Sequence, residues 1–125
     1  MIVLDSSAFL AVLKQESGAN MVEAALSDAA ISAVNVTEIL SKISDWGLDA
    51  RAYEKNLAAL PLEFVDFNFA RAAFAAQLRN DTRPFGLSLG DRACLALGME
   101  RRCSVLTADR SWAKLDIGVP IVLIR

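Results

Sequence analysis

The chain has 125 residues, 54% of them hydrophobic and 22% charged, and its 13 Lys and Arg against 15 Asp and Glu leave a formal net charge of −2. That length fits one domain with a real core and is too short for two. With no histidine present, Ser-His-Asp and Cys-His catalysis, histidine metal ligands and an imidazole switch are excluded, so a metal enzyme of this composition must use oxygen ligands, which points to Mg²⁺ or Mn²⁺.

In chain order, Met1–Leu4 is a short apolar run followed by Asp5-Ser6-Ser7, and Ala8–Lys14 reads as helix. Gly18 breaks the pattern before a helical Ala19–Asp28, and Ala30–Val34 is a second strand-like run. A helix is expected from about Asn35 to Asp45, ended by Gly47, and another over Asp49–Leu60, stopped by Pro61. Leu62–Val65 is a third run, Phe67–Arg79 is helical, Asn80–Gly86 with Pro84 reads as a loop, and Ser88–Arg101 as a helix. Ser104–Leu106 is the fourth strand, Arg110–Leu115 a short helix, and Val119–Ile124 the last strand. Strands apolar on both faces and separated by helices call for a parallel sheet covered on each side, so the expected fold class is α/β, a single domain over residues 1–125.

No apolar run approaches the roughly 18 residues of a membrane helix. The N-terminus does not read as a signal peptide, because Asp5 stands where a basic segment belongs. Cys94 and Cys103 read as free thiols of a reducing cytoplasm. The mean hydropathy of +0.37 is high for so small a domain and suggests a partner or a self-interface. The slightly acidic balance speaks against a nucleic-acid binder that works by basicity alone.

The chemistry concentrates in acids at strand-to-helix junctions: Asp5 after the first strand, Glu38 in the first turn of the helix opened by Asn35, Asp91 in the helix opened by Ser88, and Asp109 after the fourth strand. Each has a purely structural reading. Asp5 and Asp109 suit N-caps, and Glu38 and Asp91 stand three residues after Asn35 and Ser88, the spacing of a capping box. Taken singly, capping is the better reading at each. In a doubly wound sheet, however, the carboxyl ends of the strands share one edge and the crevice opens where strand order reverses. Asp5 and Asp109 would flank that crevice and Glu38 and Asp91 reach into it, an arrangement that is costly without a cation. Ser6, Ser7 and Thr107 lie beside these acids and could orient a carboxylate or touch a phosphate. Arg83, Arg92 and Arg110 lie near the same edge as weak candidates for a phosphodiester backbone, the plainer reading being solvated surface.

Four stretches together resemble the PIN-domain ribonucleases, specifically the VapC toxins of VapBC toxin–antitoxin pairs: Met1-Ile2-Val3-Leu4-Asp5-Ser6-Ser7-Ala8, Ile31-Ser32-Ala33-Val34-Asn35-Val36-Thr37-Glu38, Leu87-Ser88-Leu89-Gly90-Asp91-Arg92-Ala93-Cys94-Leu95-Ala96, and Val105-Leu106-Thr107-Ala108-Asp109-Arg110. The resemblance spans the chain. It implies a five-stranded parallel sheet sandwiched between helices and an Mg²⁺- or Mn²⁺-dependent endoribonuclease. Asp5, Glu38, Asp91 and Asp109 would be its catalytic acids, with Asp5 and Asp91 the direct metal ligands. Some members carry a further acid after the fourth region; here Ser111 and Trp112 follow Arg110, which favours one metal over two. It also implies a cognate VapB-type antitoxin, with a basic residue of that partner reaching among the carboxylates, an RNA substrate, and a homodimer.

Rival readings are a haloacid-dehalogenase-like phosphotransferase, which wants an acid where Ser7 stands; a phosphorylated receiver, for which Lys114 is poorly placed; and a PIN-like module that binds RNA or a partner without cutting.

Overall fold

The computed structural model describes Met1–Arg125. Strand β1 (Ile2–Leu4) leads into helix α1 (Ser6–Leu13), then α2 (Ala19–Ala25) and a 3-10 turn at Leu26–Asp28. Strand β2 (Ala29–Ser32) feeds α3 (Ala33–Asp45) and α4 (Ala50–Ala58), and β3 (Glu63–Val65) feeds α5 (Phe69–Asp81). A 3-10 turn at Arg83–Phe85 precedes α6 (Leu89–Arg101), β4 (Ser104–Thr107), a last 3-10 turn at Arg110–Lys114, and β5 (Ile121–Leu123).

The strands form one five-stranded sheet in the order β3-β2-β1-β4-β5, every neighbouring pair parallel. The chain builds outward from β1 to β3, then returns to place β4 on the other side of β1. The switch point therefore lies between the carboxyl ends of β1 and β4, where an open α/β sheet forms its crevice. Successive strand residues point to opposite faces, and the core divides accordingly. Leu4, Ile31 and Leu106 join the cluster under α1 to α4 with Phe9, Ile39 and Ile43. Val3, Ala30 and Val105 join the cluster under α5 and α6 with Leu95, Leu97 and Trp112. The sequence leaves α6 open as core or partner face; from Gly90 to Gly98 only Asp91 is not buried, so it is core.

Several boundaries differ from the sequence reading: α1 begins at Ser6, α2 ends at Ala25 and β5 is only Ile121–Leu123, and two further shifts have a physical reason in side-chain hydrogen bonds. The second strand ends at Ser32 and the helix begins at Ala33, because the Ser32 hydroxyl accepts from the Val34 N–H as an N-cap. Glu38 thus lies in the second helical turn, and Asn35 does not cap. The helix expected to stop at Arg79 runs to Asp81, held by Leu78, whose carbonyl accepts both the Thr82 N–H and the Thr82 hydroxyl.

Candidate active site

Asp5 occupies the N-cap position of α1, yet its side chain makes no capping bond. Its Oδ2 instead accepts from the Ser7 hydroxyl at 2.5 Å and the Thr107 hydroxyl at 2.9 Å. Ser7 Oγ in turn accepts from the Ala108 N–H at 2.9 Å, and Thr107 Oγ1 accepts from the Asp109 N–H at 3.0 Å. The Asp5 N–H donates to the Leu106 carbonyl at 3.0 Å. These bonds tie the end of β1 to the end of β4 and fix the Asp5 carboxylate, which is 3% exposed. Its other oxygen, Oδ1, is buried without any hydrogen-bond partner. Burial pushes Asp5 up to about 6; the hydroxyls of Ser7 and Thr107 pull it down, and the charges of Asp91 and Glu38 add to the rise.

Asp91 and Glu38 are half-buried. The Ser88–Asp91 capping box forms: Ser88 Oγ accepts from the Asp91 N–H and Asp91 Oδ2 from the Ser88 N–H. That box engages Oδ2 of Asp91. Glu38 is held from its own helix, where Asn35 Nδ2 donates to Glu38 Oε1 at 2.7 Å and to the Gly90 carbonyl at 3.1 Å. The Glu38 carboxylate lies against Gly90, where an added Cβ would collide with it. Glycine at this position is what lets α3 and α6 bring two acids together. Beneath them, burial and then the charges of Asp5, Asp91 and Glu38 raise the Cys94 thiol well above its ordinary value, which leaves it inert.

The fourth acid behaves differently. Asp109 is exposed, caps the 3-10 turn that follows it, and accepts both the N–H and the hydroxyl of Ser111 through Oδ1. It is not among the charges that act on Asp5.

Of the other candidates, Thr107 is fully buried on Asp5, while Ser6 is half-buried and lines an open depression with Thr37, Glu38 and Lys42. Arg110 Nε donates to the Arg125 carbonyl. Arg83 is exposed, but Arg92 departs from the solvated-surface reading: it is 9% exposed, because its guanidinium runs inward to the Ala75 carbonyl on α5. Sequence reading missed two residues. The spacing of Asn35 from Glu38 suggests a cap, whereas the residue is a buried support for that acid. Arg79, which the sequence marks only as the expected end of a helix, shares a cleft with Arg83 and Arg92.

The model of the PIN domain matches residues 2–118. The chain belongs to the PIN-domain family. No curated protein matches the sequence. Among solved structures, this PIN domain is similar to a chain of a toxin–antitoxin complex from Klebsiella pneumoniae, with 17% identity, a TM-score of 0.78 and coverage of 100% of this chain and 98% of the other. It is also similar to a chain of VapBC2 from Rickettsia felis bound to a DNA fragment from its promoter (16% identity, TM-score 0.74, 98% of both chains). A third is FitAcB from Neisseria gonorrhoeae (20% identity, TM-score 0.73, 99% of this chain and 98% of that one). Such low identities establish a shared fold. The observed strand order also removes the receiver reading, which requires 2-1-3-4-5.

A PIN domain implies a divalent cation, and the residues here fit one. Asp5 offers a buried oxygen with no other partner, held rigidly beside two further acids. No group of three acidic or cysteine side chains stands close enough to hold an ion together. A bound ion would therefore take one or two carboxylates and complete its shell with water or substrate oxygens, the usual habit of Mg²⁺.

Proposed function

We propose that this PIN domain is a metal-dependent endoribonuclease and the toxin of a toxin–antitoxin pair, with Asp5 and Asp91 as direct ligands of Mg²⁺ or Mn²⁺ and Glu38 and Asp109 acting through water. The observation that carries this reading is the buried, unpartnered Oδ1 of Asp5 at the switch point. A divalent ion bound there supplies Lewis-acid charge, which acidifies water and neutralises the phosphate.

The chain's own residues do the rest. Ser7 and Thr107 hold one Asp5 oxygen so that the other presents a fixed lone pair. The capping box orients Asp91, and Asn35 holds one oxygen of Glu38, leaving the second to orient a water toward phosphorus. The only tyrosine, Tyr53, lines an apolar pocket with Ile39 and Leu57. With no histidine or tyrosine base among these acids, attack by water rather than by the ribose 2′-hydroxyl is favoured, and cleavage leaves a 3′-hydroxyl and a 5′-phosphate.

We further propose a cytoplasmic protein paired with a VapB-type antitoxin and forming a homodimer. No helix is long and apolar enough to cross a membrane. Exposed Phe69, Leu89 and Leu48 leave apolar surface for protein contacts, and the solved complexes to which the fold is similar pair such chains with antitoxins.

The test is incubation of the purified chain with total RNA and Mg²⁺ or Mn²⁺, with mapping of the new 5′ ends. Cleavage is expected to vanish in EDTA and in Asp5→Asn or Asp91→Asn. Full activity of either variant, or activity undiminished in EDTA, sinks the mechanism. RNA binding with no cleavage under either ion supports the non-catalytic module instead.

A further inference from the structure

A cleft of about 240 Å³ opens between the carboxyl end of α5 and the amino end of α6, lined by Arg79, Thr82, Arg83, Gly86, Leu87 and Arg92. Three of its six lining residues are arginines and none is acidic, in a chain that carries more acids than bases. Of the arginines outside the cleft, Arg71 pairs with Glu100, Arg101 with Glu63 and Arg125 with Glu16, while Arg51, Arg102 and Arg110 stand singly and make no ion pair. Arg79, Arg83 and Arg92 make no ion pair. Arg83 reaches only the amide oxygen of Asn80 at 3.1 Å, and the hydroxyl of Thr82 is already spent on the Leu78 carbonyl.

Arg92 is the decisive member. It is 9% exposed, its Nη1 donates to the Ala75 carbonyl at a long 3.4 Å, and its Nε is buried with no partner. A guanidinium stays charged at every physiological pH, so it cannot relieve burial by losing a proton. A buried cation without a counterion is costly. The charge complementing the helix C-terminus accounts for Arg79 alone, since it stands in the last turn of α5; it does not account for Arg83 beyond the helix or for Arg92 in α6.

We propose that this cleft is a phosphate subsite that holds the backbone of a single-stranded RNA beside the acidic site. The anion class follows from the arginines: their planar forks match phosphate oxygens in pairs. The choice of a nucleic-acid strand follows from position. Arg92 is the residue after Asp91, so the cleft and the acids share the amino end of α6, with the acids toward α3 and the cleft toward α5. A strand with one phosphate at the acids carries neighbouring phosphates along the same edge, and one continuous ligand then satisfies both. Identification of the strand as RNA rests on the nuclease reading; the assignment of an anion does not.

The experiment measures binding of a fluorescent oligouridylate to the full chain in EDTA across a salt series, with an oligoglutamate peptide as the carboxylate arm. Cleavage of total RNA with Mg²⁺ or Mn²⁺ is scored separately. In Arg79→Gln/Arg83→Gln, both exposed positions, oligouridylate affinity is expected to fall about tenfold, and the slope of log Kd on log salt to drop by about 0.7 per arginine removed. Arg92→Lys keeps the charge but removes the fork, and is expected to weaken binding with the fold retained, read by circular dichroism. Unaltered affinity and slope in the double variant overturn the subsite, even if the wild type cleaves RNA. Oligoglutamate binding that equals oligouridylate binding and falls with it in the double variant overturns the RNA assignment in favour of an acidic peptide. A wild type that binds oligouridylate through these arginines but never cleaves RNA leaves the subsite standing while the nuclease reading fails.

Discussion

Asp5 and Asp109 follow adjacent parallel strands, and both stand at the N-cap position of the element that comes next. One caps and the other does not. At the end of β4, Asp109 is exposed and spends Oδ1 on the N–H and hydroxyl of Ser111, two residues along. At the end of β1, Asp5 is buried and caps no backbone N–H of its helix; one of its oxygens accepts hydroxyls from Ser7 in the first turn of that helix and from Thr107 at the end of β4. The first solution is local and needs only sequence neighbours. The second leaves a buried oxygen unsatisfied, a cost that a structural role does not explain. An identical residue in an identical local setting thus becomes a stabilising cap in one place and a candidate ligand in the other.

Activity should separate the two most widely. Asp5→Asn is expected to reduce metal-dependent RNA cleavage by a factor on the order of 10³ or more, and Asp109→Asn by about tenfold, the scale of a group acting through water. Equal losses in a single-turnover assay would erase the distinction.

Stability against pH sharpens it next. Asp5 stands at about 6 in the folded chain against an ordinary 3.8. Between those values the folded chain holds a proton that the unfolded chain has released, so stability falls as pH rises through the window and levels off above it. At about 1.4 kcal/mol per pKa unit the loss amounts to as much as about 3 kcal/mol. Asp5→Asn should abolish that slope in metal-free melting curves and make the chain more stable at pH 7 than the wild type. A wild-type curve that stays flat between pH 4 and 6 contradicts this account of Asp5.

Gly90→Ala comes third. The new methyl meets the Glu38 carboxylate, and overpacking of this kind costs about 1–3 kcal/mol. Because Asn35 also binds the Gly90 carbonyl, activity should fall with stability, and a variant with wild-type melting temperature and wild-type cleavage would show that Glu38 is not held there. Smallest is Asp109→Ala, expected to cost about 1 kcal/mol through the lost cap, read by denaturant unfolding.

Much of this was legible in the chain. The alternation of apolar runs and helical patterns placed the five strands, and the acids after the first and fourth runs were readable as strand-end residues. The capping box at Ser88 and Asp91 was visible from spacing alone and forms as spaced. The same spacing misled at Asn35 and Glu38, because Ser32, hidden in an apolar run that suits either strand or helix, takes the cap instead. Arg92 was equally opaque, since nothing in its neighbours tells that its guanidinium turns inward under α5.

The amino-acid sequence by itself therefore determined which residues lie at the carboxyl edge of the sheet, since strand ends, caps and helix starts are set by interactions a few positions long. Only the tertiary structure decided what each does there. Ser7 and Ala108 are 101 positions apart, and the bond between them exists because β4 lies beside β1. Burial, an unpartnered oxygen and a raised Asp5 arise from those long-range neighbours, which no local pattern encodes.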